Sequence, residues 1–251
     1  MPPKVIIVTG ASRGLGAAVA RHLLARSHKL VLTARSPEPL ERLESAHPGQ
    51  VRYLAGDMTD SKMPGRLVTL AVEAFGRLDG LVLNHGLLVS QKFVHFSAPE
   101  FRDMYNVNVF SCVAMAQEAI PELRKSSGCI LWVSSGAANK AYQGWSAYAS
   151  SKAAINSVST CIAFEEKDIT SLTIEPGRVD TDMQAQIRSH GKDIMDKTQF
   201  DSFVDAFEQG QLLKPEQPGN VMARFVADPS KELSGKNLKW NSPELVSYQD
   251  V

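Results

Sequence analysis

Residues 4–27 read KVIIVTGASRGLGAAVARHLLARS: an apolar run, a turn rich in glycine, then a segment of helical period. KVIIVT (4–9) has no polar–apolar alternation, which marks a strand covered on both faces rather than one side-on to water. GLGAAVARHLLARS (14–27) reads as a helix, and the glycines Gly10, Gly14 and Gly16 lie at the junction. A strand that passes through glycines into a helix is the opening of an alternating β/α chain.

The alternation continues. Strands are predicted at KLVLTA (29–34), VRYLAGD (51–57), LDGLVLN (78–84), GCILWVSS (128–135), ITSLTIEP (169–176) and KNLKWN (236–241). Helices are predicted at 37–46, around 61–76, at 99–126 with Pro121 near its end, and at 146–167. Apolar strands separated by helices imply an α/β fold: a doubly wound, Rossmann-type parallel sheet with helices on both faces and its ligand at the carboxyl ends of the strands. No repeat or long linker divides residues 1–251, so one domain is expected, with a substrate-covering insertion at about 180–215. Phe200, Phe203 and Phe207 share a helical face there, which would either roof a pocket or pack the insertion on its own domain.

Composition narrows the function. The 251 residues are 43% hydrophobic and 22% charged, with 27 basic and 27 acidic side chains. Such a balance argues against nucleic acid or an anionic membrane as the main partner. The apolar run before Thr9 is too short for a signal peptide, no stretch approaches a membrane span, and the ending YQDV matches no familiar targeting tail. Cys112, Cys129 and Cys161 form no C-x-x-C and are read as reduced thiols of a cytoplasmic protein. The six histidines lack ligand spacing, so no metal is expected.

The glycine turn carries the first chemical reading. Without Cβ atoms it can approach a pyrophosphate, and the N–H groups and positive dipole end of the next helix face the phosphates. The spacing G-x-x-x-G-x-G is also what a tight connection would show. The second strand adds to it: where an NAD site places an acid for the ribose 2′-hydroxyl, this strand ends in Arg35. Arg13 stands inside the turn, and guanidinium groups suit a 2′-phosphate that a carboxylate would repel. NADP(H) is therefore the expected cofactor, unless Arg35 is simply a solvated loop arginine.

YASSK (148–152) puts a phenol and an amine one helical turn apart, on one face, with only small side chains between. Their Cβ atoms should stand roughly 5–6 Å apart. A free tyrosine ionises near pH ~10, and bringing that down by ~2–3 units needs about 3–4 kcal/mol, within reach of a close ammonium.

TGASRGLG, Asp57, Asn84-His85-Gly86, Asn108, Ser135, YASSK and PGRVDTDM (176–183) fall in the order of the short-chain dehydrogenase/reductase family, which this chain resembles over nearly its whole length. The resemblance implies that Tyr148 exchanges the proton, Ser135 binds the substrate oxygen, and Lys152 supports the phenol and holds the nicotinamide ribose. Asn108 would order a water behind the lysine. Ser134 competes with Ser135, and Asn106 with Asn108; the family spacing favours Ser135 and Asn108. Gly10, Ser12, Arg13, Gly14, Leu15, Gly16 and Arg35 would hold the cofactor with Tyr148 and Lys152. Asp57 and Asn84 would hold its adenine and adenine ribose, or else serve as loop caps. Val179 and Thr181 resemble the residues that hold the nicotinamide carboxamide, or form a plain turn. His85 departs from the family, which has a small residue there, and is read as a space filler.

CIAFEEKDITSLTIEPGRVDTDMQ and SGKNLKW resemble the branch of sepiapterin reductases and benzil-type diketone reductases. That branch's pterin anchor is an acid at the sixth position of the pattern opening Ser-Gly, here Lys239, and an ammonium accepts no N–H. The implied function is NADPH-dependent reduction of a small carbonyl compound, a ketone or vicinal dicarbonyl, with Tyr148 as proton donor. The alternatives are a pterin carbonyl reductase and a non-catalytic NADP-binding regulator, although Tyr148 and Lys152 are both kept. Serine hydrolysis would need a G-x-S-x-G elbow, which is absent. The resemblance further implies a homo-oligomer, dimer or tetramer, built from helices 99–126 and 146–167. Val107, Phe110, Met115 and Ile155 would line that interface or face the sheet.

Overall fold

The computed structural model describes residues 2–249; Met1 and the Asp250 and Val251 of the YQDV ending lie outside the described residues. The strands are β1 (Val5–Thr9), β2 (Lys29–Thr33), β3 (Val51–Tyr53), β4 (Gly80–Leu83), β5 (Cys129–Val133), β6 (Thr170–Glu175) and β7 (Asn237–Lys239). They form one sheet in the order β3-β2-β1-β4-β5-β6-β7. Every pairing is parallel, with Ile6 in register with Leu30 on one side and Gly80 on the other. The strand order reverses between β1 and β4, so a crevice opens there at the carboxyl ends of the strands.

The apolar run VIIV is explained by its two coverings. Ile6 and Val8 pack among Val19, Leu23, Met222 and Phe225, from helices α1 (Gly14–Ala25) and α9 (Glu216–Ala227). Val5 and Ile7 face the opposite layer, with Leu67, Met115 and Ile155. Those belong to α3 (Met63–Phe75), α5 (Ser111–Ser126) and α6 (Ser146–Glu165), while α2 (Glu38–Ala46) sends Leu40 into the first layer. A strand with helices over both faces has no polar side to show. The open question over the two long helices is thereby settled for Met115 and Ile155, which face the sheet. Phe110 is 55% exposed.

Three differences from expectation have physical causes. β3 stops at Tyr53 rather than 57: beyond it the Leu54 and Gly56 N–H groups still donate to Leu32 O and Ala34 O, but the paired register ends at Leu32–Tyr53. The long helix 99–126 is α4 (Ala98–Tyr105) and α5 joined by a π-helical turn, Asn106–Phe110. A π turn inserts one residue into the helical ladder, commonly at a functional site. Helix α9 was not expected. Pro218 and Gly219 resemble breakers, yet Pro218 occupies the first turn, where its missing N–H costs nothing. Gly219 lets the helix approach α1, since a Cβ there would come 3.0 Å from Ala18 Cβ.

Segment 180–215 is a lobe closed at its base. The Asp180 N–H donates to Leu213 O at 2.8 Å, and the Leu213 N–H to Arg178 O at 2.9 Å. Between them lie α7 (Asp182–His190) and α8 (Lys197–Glu208). Phe203 is 2% exposed and packs on Trp145 and Tyr142, whereas Phe207 is half exposed under Arg188. Of the expected three-phenylalanine face, only Phe203 therefore lines the crevice, while Phe200 packs against the same cluster.

Candidate active site

The carboxyl ends of the strands border a crevice of about 1070 Å³. Gly10, Ser12, Arg13, Gly14, Leu15, Arg35, Asp57, Asn84, Ser135, Tyr148, Lys152, Val179 and Thr181 all line it. Gly16 and Asn108 stand behind the wall.

The glycine turn is as tight as a turn can be made. Gly10 and Gly14 have φ of +65° and +53°, which side chains disfavour. A Cβ on Gly16 would collide with the Gly10 carbonyl oxygen and lie 2.5 Å from Asn84 Nδ2. Asn84 braces the turn by donating to the carbonyls of Thr9 and Gly10, both at 3.0 Å. Thr181 caps it from the lobe side, 3.1 Å from where a Gly14 Cβ would stand. A bare backbone surface at the start of α1, with Arg13 and Arg35 also lining the crevice, fits a dinucleotide's pyrophosphate. Two expected contacts carry additional duties. Arg13 makes an ion pair with Asp182 of the lobe at 2.6 Å, an exposed link across the crevice mouth. The Asp57 carboxylate accepts from the Thr59 N–H and hydroxyl, which holds it below the usual carboxylate range.

Ser135, Tyr148 and Lys152 meet where β5 and the first turn of α6 converge. Tyr148 and Lys152 are almost fully buried, and the ammonium lies 5.8 Å from the phenol ring centroid. Ser134 is accounted for elsewhere: buried, it donates to Asn156 Oδ1 at 2.6 Å. The electrostatics differ from the expectation built on YASSK. Burial pushes the Tyr148 phenol up, and what pulls it back is a hydrogen bond with the Ser135 hydroxyl. Burial also lowers Lys152, whose ammonium donates to Val133 O at 2.8 Å. In this geometry the lysine's hydrogen bond goes to the backbone, and the serine tunes the phenol.

Asn108 sits in the π-helical turn with no solvent exposure. Its Oδ1 accepts from the Leu87 N–H at 2.9 Å, and its Nδ2 donates to Leu87 O at 2.9 Å and to Ser151 Oγ at 3.1 Å. It therefore ties the loop after β4 to α6 between Tyr148 and Lys152. His85 is more than a filler. Its Nδ1 lies 2.7 Å from Thr9 Oγ1 and its Nε2 2.8 Å from Ser111 Oγ, bridging β1 to α5. Desolvation and the nearby Lys152 pull its pKa down to about 4, so the ring is neutral.

The sequence places Tyr142 and Trp145 near the pocket mouth and Phe203 on a possible roof, and gives no sign of the rest of the outer walls. One is apolar: Leu88, Tyr142, Trp145, Ile187 and Phe203. The other is polar: Glu175, Arg178, Lys239 and Asn241, with Trp240 among them. Arg178 fastens α8 by donating to Ser202 O at 2.6 Å and stacking over Phe203 at 4.2 Å. These residues come from loops, from the ends of β6 and β7 and from α7 and α8, segments far apart in the chain.

Comparison with known proteins agrees with this geometry. Residues 4–192 match the family described as short chain dehydrogenase. An uncharacterized oxidoreductase of Saccharomyces cerevisiae is 35% identical over 250 residues, which cover 98% of both chains. A benzil reductase of the same yeast, described as (S)-benzoin forming, is 34% identical and aligned over 98% of this chain and 99% of its own. Among solved structures, the KRED1-Pglu enzyme superposes with a TM-score of 0.91 at 42% identity, covering 93% of this chain and 99% of that one.

Proposed function

Because the chain belongs to the short-chain dehydrogenase family and is an oxidoreductase of that type, we propose that it reduces a ketone or vicinal dicarbonyl to the hydroxy compound with NADPH. The observation that carries this is the meeting of Ser135, Tyr148 and Lys152 in a crevice that begins at the glycine turn.

NADPH supplies the hydride that reaches the carbonyl carbon. The rest is done by the chain. Tyr148, kept protonated by burial, donates its proton to the carbonyl oxygen as negative charge grows there. Ser135 stabilises that oxygen and passes a hydrogen bond to the phenol, so that charge left on Tyr148 is shared. Lys152, anchored on Val133 O behind the ring, would hold the nicotinamide ribose. Trp145, Tyr142 and Phe203 exclude water from the reacting side, which strengthens each of these interactions. Arg35 and Arg13 select the 2′-phosphate, with no acid at the end of β2 to oppose them. Support for a diketone comes from the benzil reductases of S. cerevisiae and Bacillus cereus, the latter 29% identical. The three free thiols accord with the cytoplasm, and outward Phe110 and Phe164, on the helical surfaces expected to pair, accord with a homo-oligomer.

The test is NADPH absorbance with benzil, simple diketones, quinones and sepiapterin, with NADH as control. Oxidation of NADPH by the aromatic diketones is expected. Preference for NADH would remove the Arg35 argument, and no oxidation with any carbonyl would remove the reaction.

A further inference from the structure

The polar wall of the crevice is built on β6 and β7. Glu175 ends β6 and stands in register with Lys239 of β7, and both line the crevice. The Glu175 backbone is fixed, its carbonyl accepting from the Trp240 N–H at 2.9 Å. Its side chain is oriented too: Oε1 accepts from Asn139 Nδ2 at 3.0 Å. Oε2 lies 3.5 Å from where a Cβ on Gly136 would stand, beside the residue that follows Ser135. Among the described residues no cation lies within ion-pair distance of this carboxylate, Lys239 included.

An aimed carboxylate next to the reacting centre sets a condition on the substrate. Asn139 satisfies only Oε1 of this partly exposed carboxylate; a wholly apolar occupant would strip water from Oε2 and return nothing, which costs free energy. An occupant carrying an N–H would satisfy it through a charge-assisted bond. Resting on the carbonyl-reductase reading, we propose that Glu175 is a specificity-determining residue that selects carbonyl substrates bearing an N–H donor near the reduced group. Across the crevice, Tyr142, Trp145 and Phe203 take the aromatic face of the same molecule.

Isatin and N-methylisatin test this, being aromatic vicinal dicarbonyls that differ in one N–H. The ratio of their kcat/KM values is measured with NADPH, and benzil serves as a substrate without an N–H. The wild-type ratio should be at least about tenfold in favour of isatin. It should fall toward one in Glu175→Ala, and in Glu175→Gln, which keeps an acceptor without its charge, to a value between the two. A wild-type ratio near one, or a ratio unchanged in both variants, overturns the proposal while benzil reduction upholds the general reading. Should Glu175→Ala not fold, an unchanged ratio in Glu175→Gln overturns it and a reduced one supports it. Failure of the wild type to reduce any of the three overturns both.

Discussion

Tyr148 is subject to two opposed influences, burial that raises its pKa and the Ser135 hydrogen bond that lowers it. Reduction needs the protonated phenol, so activity is lost as pH rises through that pKa. Ser135→Ala removes the lowering influence, and the alkaline limb of kcat/KM should move to higher pH. Losing the oxyanion partner should at the same time cut kcat by about 10²–10³-fold; a profile shifted to lower pH would contradict the assignment. His85 provides a second residue-level prediction. Its folded pKa of about 4 lies below the unfolded 6.5, so its contribution to stability is present above pH 6.5 and lost as pH falls through 4. His28, also lowered by burial, acts in the same direction. Thermal melts from pH 7 to 4.5 should show the wild type losing stability more steeply than His85→Gln, and parallel curves would refute the neutral bridge. The glycine turn, Ser135, Tyr148 and Lys152 were legible through their order along the chain, which resembles the family's; each spacing alone would also suit a plain turn or helix face. His85 was not, because its value depends on Thr9 and Ser111, which are distant in sequence.

At the scale of elements, the π-helical turn does the positioning. It turns Asn108 inward to hold both backbone groups of Leu87 and the hydroxyl of Ser151. Asn108→Ala would leave the part-buried Leu87 N–H and carbonyl without this partner, and chemical denaturation should report a loss of about 1–2 kcal/mol. Turnover should fall with it, through displacement of the loop against Lys152. A change below about 0.5 kcal/mol would show that the turn does not depend on this side chain. The helix was foreseen at 99–126 because its apolar period is long. The π turn was not, since one inserted residue barely disturbs that period. Helix α9 was missed for a different reason: Pro218 and Gly219 read as breakers, yet Pro218 falls in the tolerant first turn and Gly219 sits where α1 approaches. Likewise Lys239 was weighed alone, and only the strand pairing brings Glu175 beside it.

For the whole molecule, the doubly wound sheet places the reversal of strand order between β1 and β4, and the crevice follows from that reversal. The lobe 180–213 leaves and rejoins the body at one point, so it can cover the crevice without disturbing the sheet. This much was legible in the order of strands and helices, with Tyr142, Trp145 and Phe203 of the apolar side; the polar side was not, because the pairing of β6 with β7 assembles it. The account depends on a buried phenol that gives its proton to a carbonyl. The most direct test is turnover of benzil by Tyr148→Phe at saturating NADPH, with nucleotide binding followed by fluorescence in the same preparation. Removal of the general acid should lower turnover by about 10²–10⁴-fold while NADPH remains bound. Turnover within a few-fold of the wild type, with the nucleotide bound, would contradict it.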